Sequence, residues 1–327
     1  MRSTKSPSWS SPLLARLLGA EPVAAPPDAF SLAPDALRWA RFRRQPSGYE
    51  FDGFAEVGLA DDLFPGGPLG GPAAETAPLR AALAELLDGV GGGVASASLV
   101  LPDAWLRVAF TEFEEEPRGR KERLQVLSWK MQRLVPVRVD DLRLRAAEAP
   151  TLGGNGVARY LVLFALEALL AQLEGLFAEA GVTLGRIVPE SLAVAAALEG
   201  PSEEEATTGL VMVSPEGYSL TFLRAGEPLL HRYRALAGAG AADRLVLRDL
   251  RMTQTFLEER APGAEPSRVL LLAPEESVMS WVQRLVEGLG RPVHALGREQ
   301  LPLRGQLRHG DLSVVAPLLG AVCQEVA

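Results

Sequence analysis

Three consecutive strand-like segments occur twice in this chain, and that repetition restricts the fold more than any other feature of the sequence. The first set reads as Ala29 to Leu32, Ala36 to Arg44 and Tyr49 to Leu59, with the turn Gln45-Pro46-Ser47-Gly48 between its last two members. The second set starts near Gly209, with Leu210 to Val213 and Ser219 to Leu223 as a hairpin and Leu229 to Ala235 following the turn Ala225-Gly226. Each set leads into helical and strand patterns, so a duplicated α/β unit is expected. At 327 residues, 47% of them hydrophobic, the chain is long enough for two packed domains.

Between the repeats the chain follows a different pattern. A Gly/Pro-rich linker from Phe64 to Pro72 precedes a short helix, Leu79 to Leu87, and the strands Ala97 to Leu101 and Trp105 to Phe113. The spacing predicts a helix over Arg118 to Arg133 with a buried stripe at Leu124, Leu127, Met131 and Leu134 and a second apolar face at Val126 and Trp129. A strand is expected over Val137 to Ala146. From Ala158 onward strands and helices alternate: strand Tyr160 to Leu166, helix Glu167 to Ala180, strand Leu184 to Val188 and helix Glu190 to Leu198. After the second triplet come helix Arg244 to Arg260, strand Arg268 to Leu272, helix Ser277 to Leu289, strand Pro292 to Leu296 and a final helix, Val314 to Val326. The expected domains are a flexible tail over 1–27, a first core over 28–76 and 147–200, an inserted subdomain over 77–146 and a second core over 201–327.

Charge and composition narrow the function classes. A net charge of -8 and a pI near 5.2 argue against a general nucleic-acid binder. Cys323 is the only cysteine, which fits a reducing cytoplasm, and its place in an apolar helix marks it as a core thiol. Arg16, Glu21 and the prolines interrupt the apolar N-terminal stretch too early for a signal peptide, and Glu167, Gln172 and Glu174 exclude a transmembrane span over Tyr160 to Phe177. The histidines His231, His294 and His309 lack carboxylates at ligand spacing, so no metal is expected. The acidic run Glu112, Glu114, Glu115 and Glu116 beside Arg118, Arg120, Lys121 and Arg123 reads first as a solvated helix start, and otherwise as a dock for an assembly ATPase. The cluster Arg38, Arg41, Arg43 and Arg44 reads as an exposed strand face.

The duplicated unit with an insertion in its first copy is the plan of the actin, sugar kinase and Hsp70 superfamily. Within it the chain resembles PilM, the FtsA-like protein of type IV pilus machines. The resemblance is carried by Leu99-Val100-Leu101-Pro102, Leu127-Ser128-Trp129-Lys130, Leu134-Val135-Pro136-Val137 with Val139 to Leu142, and by Phe177 to Gly181 with Pro189 to Ala193. It implies an actin-like, ribonuclease H-like duplicated fold with an inserted α+β subdomain. It also implies a scaffold on the cytoplasmic face of the inner membrane, reaching the membrane only through partners. The partner is the N-terminal tail of a PilN-like membrane protein, in a groove between the insert and the first core. Leu99, Leu101, Trp105, Arg107, Val126 and Trp129 are the residues expected to border that groove.

Departures from the family concern nucleotide. The first phosphate loop, Asp-Ile-Gly followed by hydroxyl residues and Lys, aligns with Ser31, Leu32, Ala33, Pro34, Asp35, Ala36 and Arg38, so only the basic residue survives. In the second loop Asp and Gly become Met212 and Ser214. The glycines over the adenosine become Ala273, Pro274 and Glu275. Side chains where bare backbone should approach phosphate, and Glu216 and Glu275 that would repel it, predict a pseudo-ATPase without cofactor. The alternatives are an ATP-binding actin-like protein with unusual loops, or a cytoplasmic GspL-like component of a type II secretion system.

Overall fold

In a computed structural model, residues 25–65, 69–91, 93–113, 117, 119–152, 157–199, 206–236, 242–305 and 311–323 are described. Most of the expected tail, the carboxylates Glu114 to Glu116 with Arg118, the segment Pro201 to Glu205, and His309 lie outside them.

The first half is built on a six-stranded sheet. β1 (Asp28–Leu32), β2 (Ala36–Gln45) and β3 (Gly48–Gly58) form an antiparallel meander, and β4 (Ser96–Leu101) and β8 (Thr183–Pro189) extend it in parallel beside β1. The two parallel strands are reached through helices α1 (Thr76–Gly89) and α3 (Glu167–Glu179). The second half repeats the plan: β9 (Thr207–Ser214), β10 (Gly217–Arg224) and β11 (Glu227–Ala235) form the meander. There β12 (Pro266–Leu272) and β13 (Val293–Ala295) add in parallel beside β9. The strand order is the same in both halves, which realises the repeat seen in the sequence. One strand crosses over: β14 (Leu303–Arg304) leaves the second half to pair with β3 of the first.

Alternation along the strands sends side chains to different cores, as a period of two requires. In β4, Ala97, Leu99 and Leu101 pack under α1 and α3, while Val100 points to the other face. That other face meets α4 (Glu190–Ala197), α7 (Leu312–Val322) and the inner face of the second sheet, including Leu210 and Met212, in one core shared by both halves. The outer face of the second sheet is covered by α5 (Ala242–Arg260) and α6 (Val278–Leu289). Each buried Leu, Phe or Val contributes about 1.5–3 kcal/mol, so the shared core joins the halves firmly. Closest approach comes at Gly320, where any Cβ would overlap the Ala193 carbonyl, so α4 and α7 touch through backbone.

A separate three-stranded antiparallel sheet, β5 (Arg107–Phe113), β7 (Ala158–Leu166) and β6 (Leu142–Glu148), with α2 (Arg120–Gln132) upon it, is the insert. This corrects the expected boundaries. Both α1 and β4 belong to the first core, and β7 belongs to the insert. β7 misleads because both its faces are buried: Tyr160, Val162 and Phe164 face α2, whereas Leu161, Leu163 and Ala165 face the first core. A middle strand covered on both sides reads like a parallel core strand. The strand expected from Val137 starts only at Leu142, after a short 3-10 turn at Val139–Asp141. On α2, Leu127 and Met131 are buried as expected, but Leu124 is exposed, as is Leu134 just past the helix end.

The arginine cluster is neutralised along its strand face. Arg38 pairs with Asp35 and Glu56, Arg41 with Asp28, and Arg43 with Asp52. Cys323 sits at the end of α7, where burial pushes its thiol up to about 12.

Candidate functional site

In a duplicated fold of this kind the two meander turns face one another across a cleft, and ligands gather at the carboxyl ends of the parallel strands. Here both turns are closed by their own side chains. Ala33 donates its N–H to the Ala36 carbonyl, fixing a tight turn that carries Pro34 and Asp35, and Asp35 accepts from Arg38 at 3.2 Å. Ser31 is buried in β1 opposite Arg38. In the second turn the Ser214 hydroxyl donates to the Gly217 carbonyl, and the Glu216 carbonyl accepts from the Tyr233 hydroxyl at 3.1 Å and from the Leu236 N–H. Gly217 has no room for a side chain: a Cβ would meet the Arg234 carbonyl and sit 2.7 Å from the Tyr233 hydroxyl oxygen. The backbone of this turn is committed to β11.

Met212 lies in the shared core, between Ser219 of β10 and Leu272 of β12 in register. A carboxylate at that position would have to be buried among aliphatic side chains. After β12, Ala273 is buried in the core, and the Pro274 carbonyl accepts from both the N–H and the hydroxyl of Ser277 at the start of the 3-10 turn Glu275–Ser277.

Two carboxylates that the sequence reading did not single out occupy the cleft. Asp103 follows β4 and Glu190 follows β8, neighbouring parallel strands in which Leu101 pairs with Pro189. Burial pushes Asp103 up to about 6, against the Ser191 hydroxyl, which donates to it at 2.8 Å. Burial pushes Glu190 up to about 8, and the nearby charges of Asp103, Glu216 and Asp35 add to the rise while Arg38 opposes it. Glu190 is therefore largely protonated at neutral pH. The shared pattern of strand, proline, acid at Leu101-Pro102-Asp103 and Val188-Pro189-Glu190 was the available signal. No group of three or more His, Cys, Asp or Glu among the described residues is arranged to hold a metal ion.

The residues expected to border a partner groove are not brought together. Leu99 and Leu101 are fully buried under α1 and α3, so they cannot touch a docked peptide, and a charge at Leu101 would enter the core. Trp105 packs on Phe64 with ring centres 4.7 Å apart and lies against Gly70. Arg107 faces the second half, its guanidinium 4.5 Å from the centre of the Tyr233 ring. Val126 is half-buried on α2, whereas Trp129 is 55% exposed, with Arg133 stacked on it. Leu99, Leu101 and Trp105 share the core under α1 and α3, whereas Arg107 on β5 and Trp129 on α2 lie on other elements, and that splits the set. Glu112, read first as part of a solvated helix start and otherwise as part of a dock, lies in β5, accepts from Arg260 at 3.0 Å and lies near Arg159.

No family model matches the chain, and no curated protein matches it in sequence. Solved structures do. One chain of a PilM–PilN type IV pilus biogenesis complex is similar over 92% of this chain and 96% of its own length, at TM-score 0.70 and 17% identity. A Bacteroides thetaiotaomicron protein with an actin-like ATPase fold and unknown function is similar over 89% and 94%, at TM-score 0.52 and 12% identity. The cytoplasmic domain of EpsL, an inner membrane component of the type II secretion system of Vibrio cholerae, is a more distant likeness at TM-score 0.48 and 11% identity, over 91% and 95%. No helix among the described residues is long and apolar enough to cross a membrane. With the duplicated sheets, the shared core and the insert between β4 and α3, the chain has an actin-like fold of PilM-like architecture.

Proposed function

We propose that this chain is a non-catalytic scaffold in the inner-membrane platform of a type IV pilus, held at the cytoplasmic face by the N-terminal tail of a PilN-like membrane protein. The observation that carries the reading is the likeness, over nearly the whole length of both chains, to a chain from a PilM–PilN complex. The cleft supports the absence of catalysis. Its two turns are filled by Pro34, Asp35, Ser214 and Glu216, and the position of the family's metal-holding carboxylate is the core residue Met212. Trp129, open on the insert, is the side chain best placed to anchor a tail, because a large exposed aromatic ring loses water contact on docking.

Titration of a fluorescent peptide spanning such a tail tests this. Wild type should bind, and Trp129→Ala should bind about tenfold or more weakly with its fold intact. Equal affinity of both proteins would remove α2 from the account, and no binding to either would remove the PilN-like partner.

A second reading, an actin-like protein that still binds ATP, is favoured by one observation: the shifted carboxylates Asp103 and Glu190 lie where the fold places catalytic groups. It requires Mg-ATP to stabilise the protein, which the filled turns oppose.

A further inference from the structure

A groove of about 710 Å³ runs between the insert and the second half; it borders the cleft at Tyr233, and Trp129 is not part of its lining. Its walls are two sheet edges, β5 and β11, and among the described residues no strand pairs across it. Six cationic side chains line it, Arg107, Lys130, Arg159, Arg232, Arg234 and Arg260, against the single carboxylate of Glu112. That concentration stands out on a chain of net charge -8. Arg159 donates to the Leu229 carbonyl at 2.6 Å and Lys130 to the Glu112 carbonyl at 2.8 Å, and Arg232 and Arg234 share Asp249, which lies outside the lining, whereas no carboxylate among the described residues forms an ion pair with Arg107 or Lys130. Apolar surface from Val108, Phe110, Leu134 and Leu230 alternates with the charges.

One polar atom in the groove is left without a partner. His231 is 5% exposed and shares a hydrogen bond at 3.0 Å between Nδ1 and the Thr221 hydroxyl, yet Nε2 has none. Burial, with Arg107 nearby, pushes this imidazole down to about 3, so the ring is neutral, and its Nε2 lies beneath the groove surface without a hydrogen-bond partner. At Arg232 and Phe256 the groove continues onto the face of α5 that carries Arg244 and Arg248.

We propose that this groove docks an extended partner segment in which Asp or Glu side chains alternate with apolar ones. Sheet edges favour an extended chain, alternate side chains of which reach the two walls. The cationic lining selects acids, and the apolar wall adds contacts that a free small anion would not use. This surface does not involve Trp129, so it stands or falls separately from the tail-binding reading.

The test is fluorescence anisotropy of the full chain with a labelled peptide of alternating Glu and Leu, a matching Lys and Leu peptide, and a single-stranded oligothymidylate. The acidic peptide should bind and weaken as salt rises. Lys130→Gln combined with Arg260→Gln should weaken it about tenfold or more, while Trp129→Ala leaves it unchanged. Since Arg260 also pairs with Glu112, each single variant is measured too, with circular dichroism to confirm folding. No binding of the acidic peptide, or undiminished binding to the double variant, overturns the proposal. Tighter binding of oligothymidylate that the double variant loses also overturns it, by making the groove a nucleic-acid surface.

Discussion

The cleft between the meander turns and the groove between the insert and β11 lie in one molecule but have opposite character. The cleft gathers carboxylates, Asp35, Asp103, Glu190 and Glu216, and in its turns the Ala33 N–H and the Glu216 carbonyl are held by internal hydrogen bonds. The groove gathers cations and keeps a ring nitrogen unsatisfied. Phosphate chemistry needs the reverse of the first, with exposed N–H groups and few uncompensated acids. Partner binding is better served by the second. The difference teaches that one actin-like frame can gather acids and internally bonded turns in one place and carry an open, cationic surface in another.

The largest expected effect breaks the groove's closed end. Arg159 is buried and donates to both the Leu229 and Pro150 carbonyls, with its guanidinium 3.9 Å from the centre of the Phe110 ring. Arg159→Ala should destabilise the chain by about 3–4 kcal/mol, by leaving two carbonyls unpaired and a cavity behind. Chemical denaturation checks this; a loss under 1 kcal/mol would mean that the insert does not depend on this clamp.

A smaller effect sharpens the character of the cleft. The carboxyl of Glu190 is raised in the folded chain, so its contribution is fully present below the ordinary carboxylate range and is lost as pH rises toward about 8. Asp103 behaves alike, its contribution fading as pH rises toward about 6. Glu190→Gln, which cannot ionise, should therefore be more stable than wild type at pH 8 by about 2 kcal/mol, discounted for residual solvent contact, and nearly equal at pH 5. An equal difference at both pH values would show that Glu190 does not take up a proton on folding in this range.

Much of this was legible from residues. The meanders β1 to β3 and β9 to β11 emerge from apolar alternation and turn residues, because edges and turns announce themselves locally. The insert's limits did not, since β7 is buried on both faces and only its antiparallel pairing with β5 and β6 reveals its sheet. β14, two residues long, has too little pattern to be read at all. In the candidate site, the absence of a carboxylate at Met212 and of a glycine at Ser214 was visible as residue identity. The meeting of Asp103 with Glu190, and of Arg107 with Tyr233, depends on contacts between distant segments that spacing does not encode.

The smallest expected effect on stability is at Trp129. Its ring is exposed, so Trp129→Ala should change unfolding free energy by less than about 0.5 kcal/mol. A larger loss would mean that the ring supports the fold rather than a partner.

The central claim, that the chain holds partners and has given up nucleotide, is tested most directly by thermal unfolding of one preparation with either millimolar Mg-ATP or a PilN-like tail peptide. The account predicts a rise of several degrees with the peptide and none with Mg-ATP, since only a ligand that binds the folded state raises the midpoint. A rise with Mg-ATP and none with the peptide would contradict it.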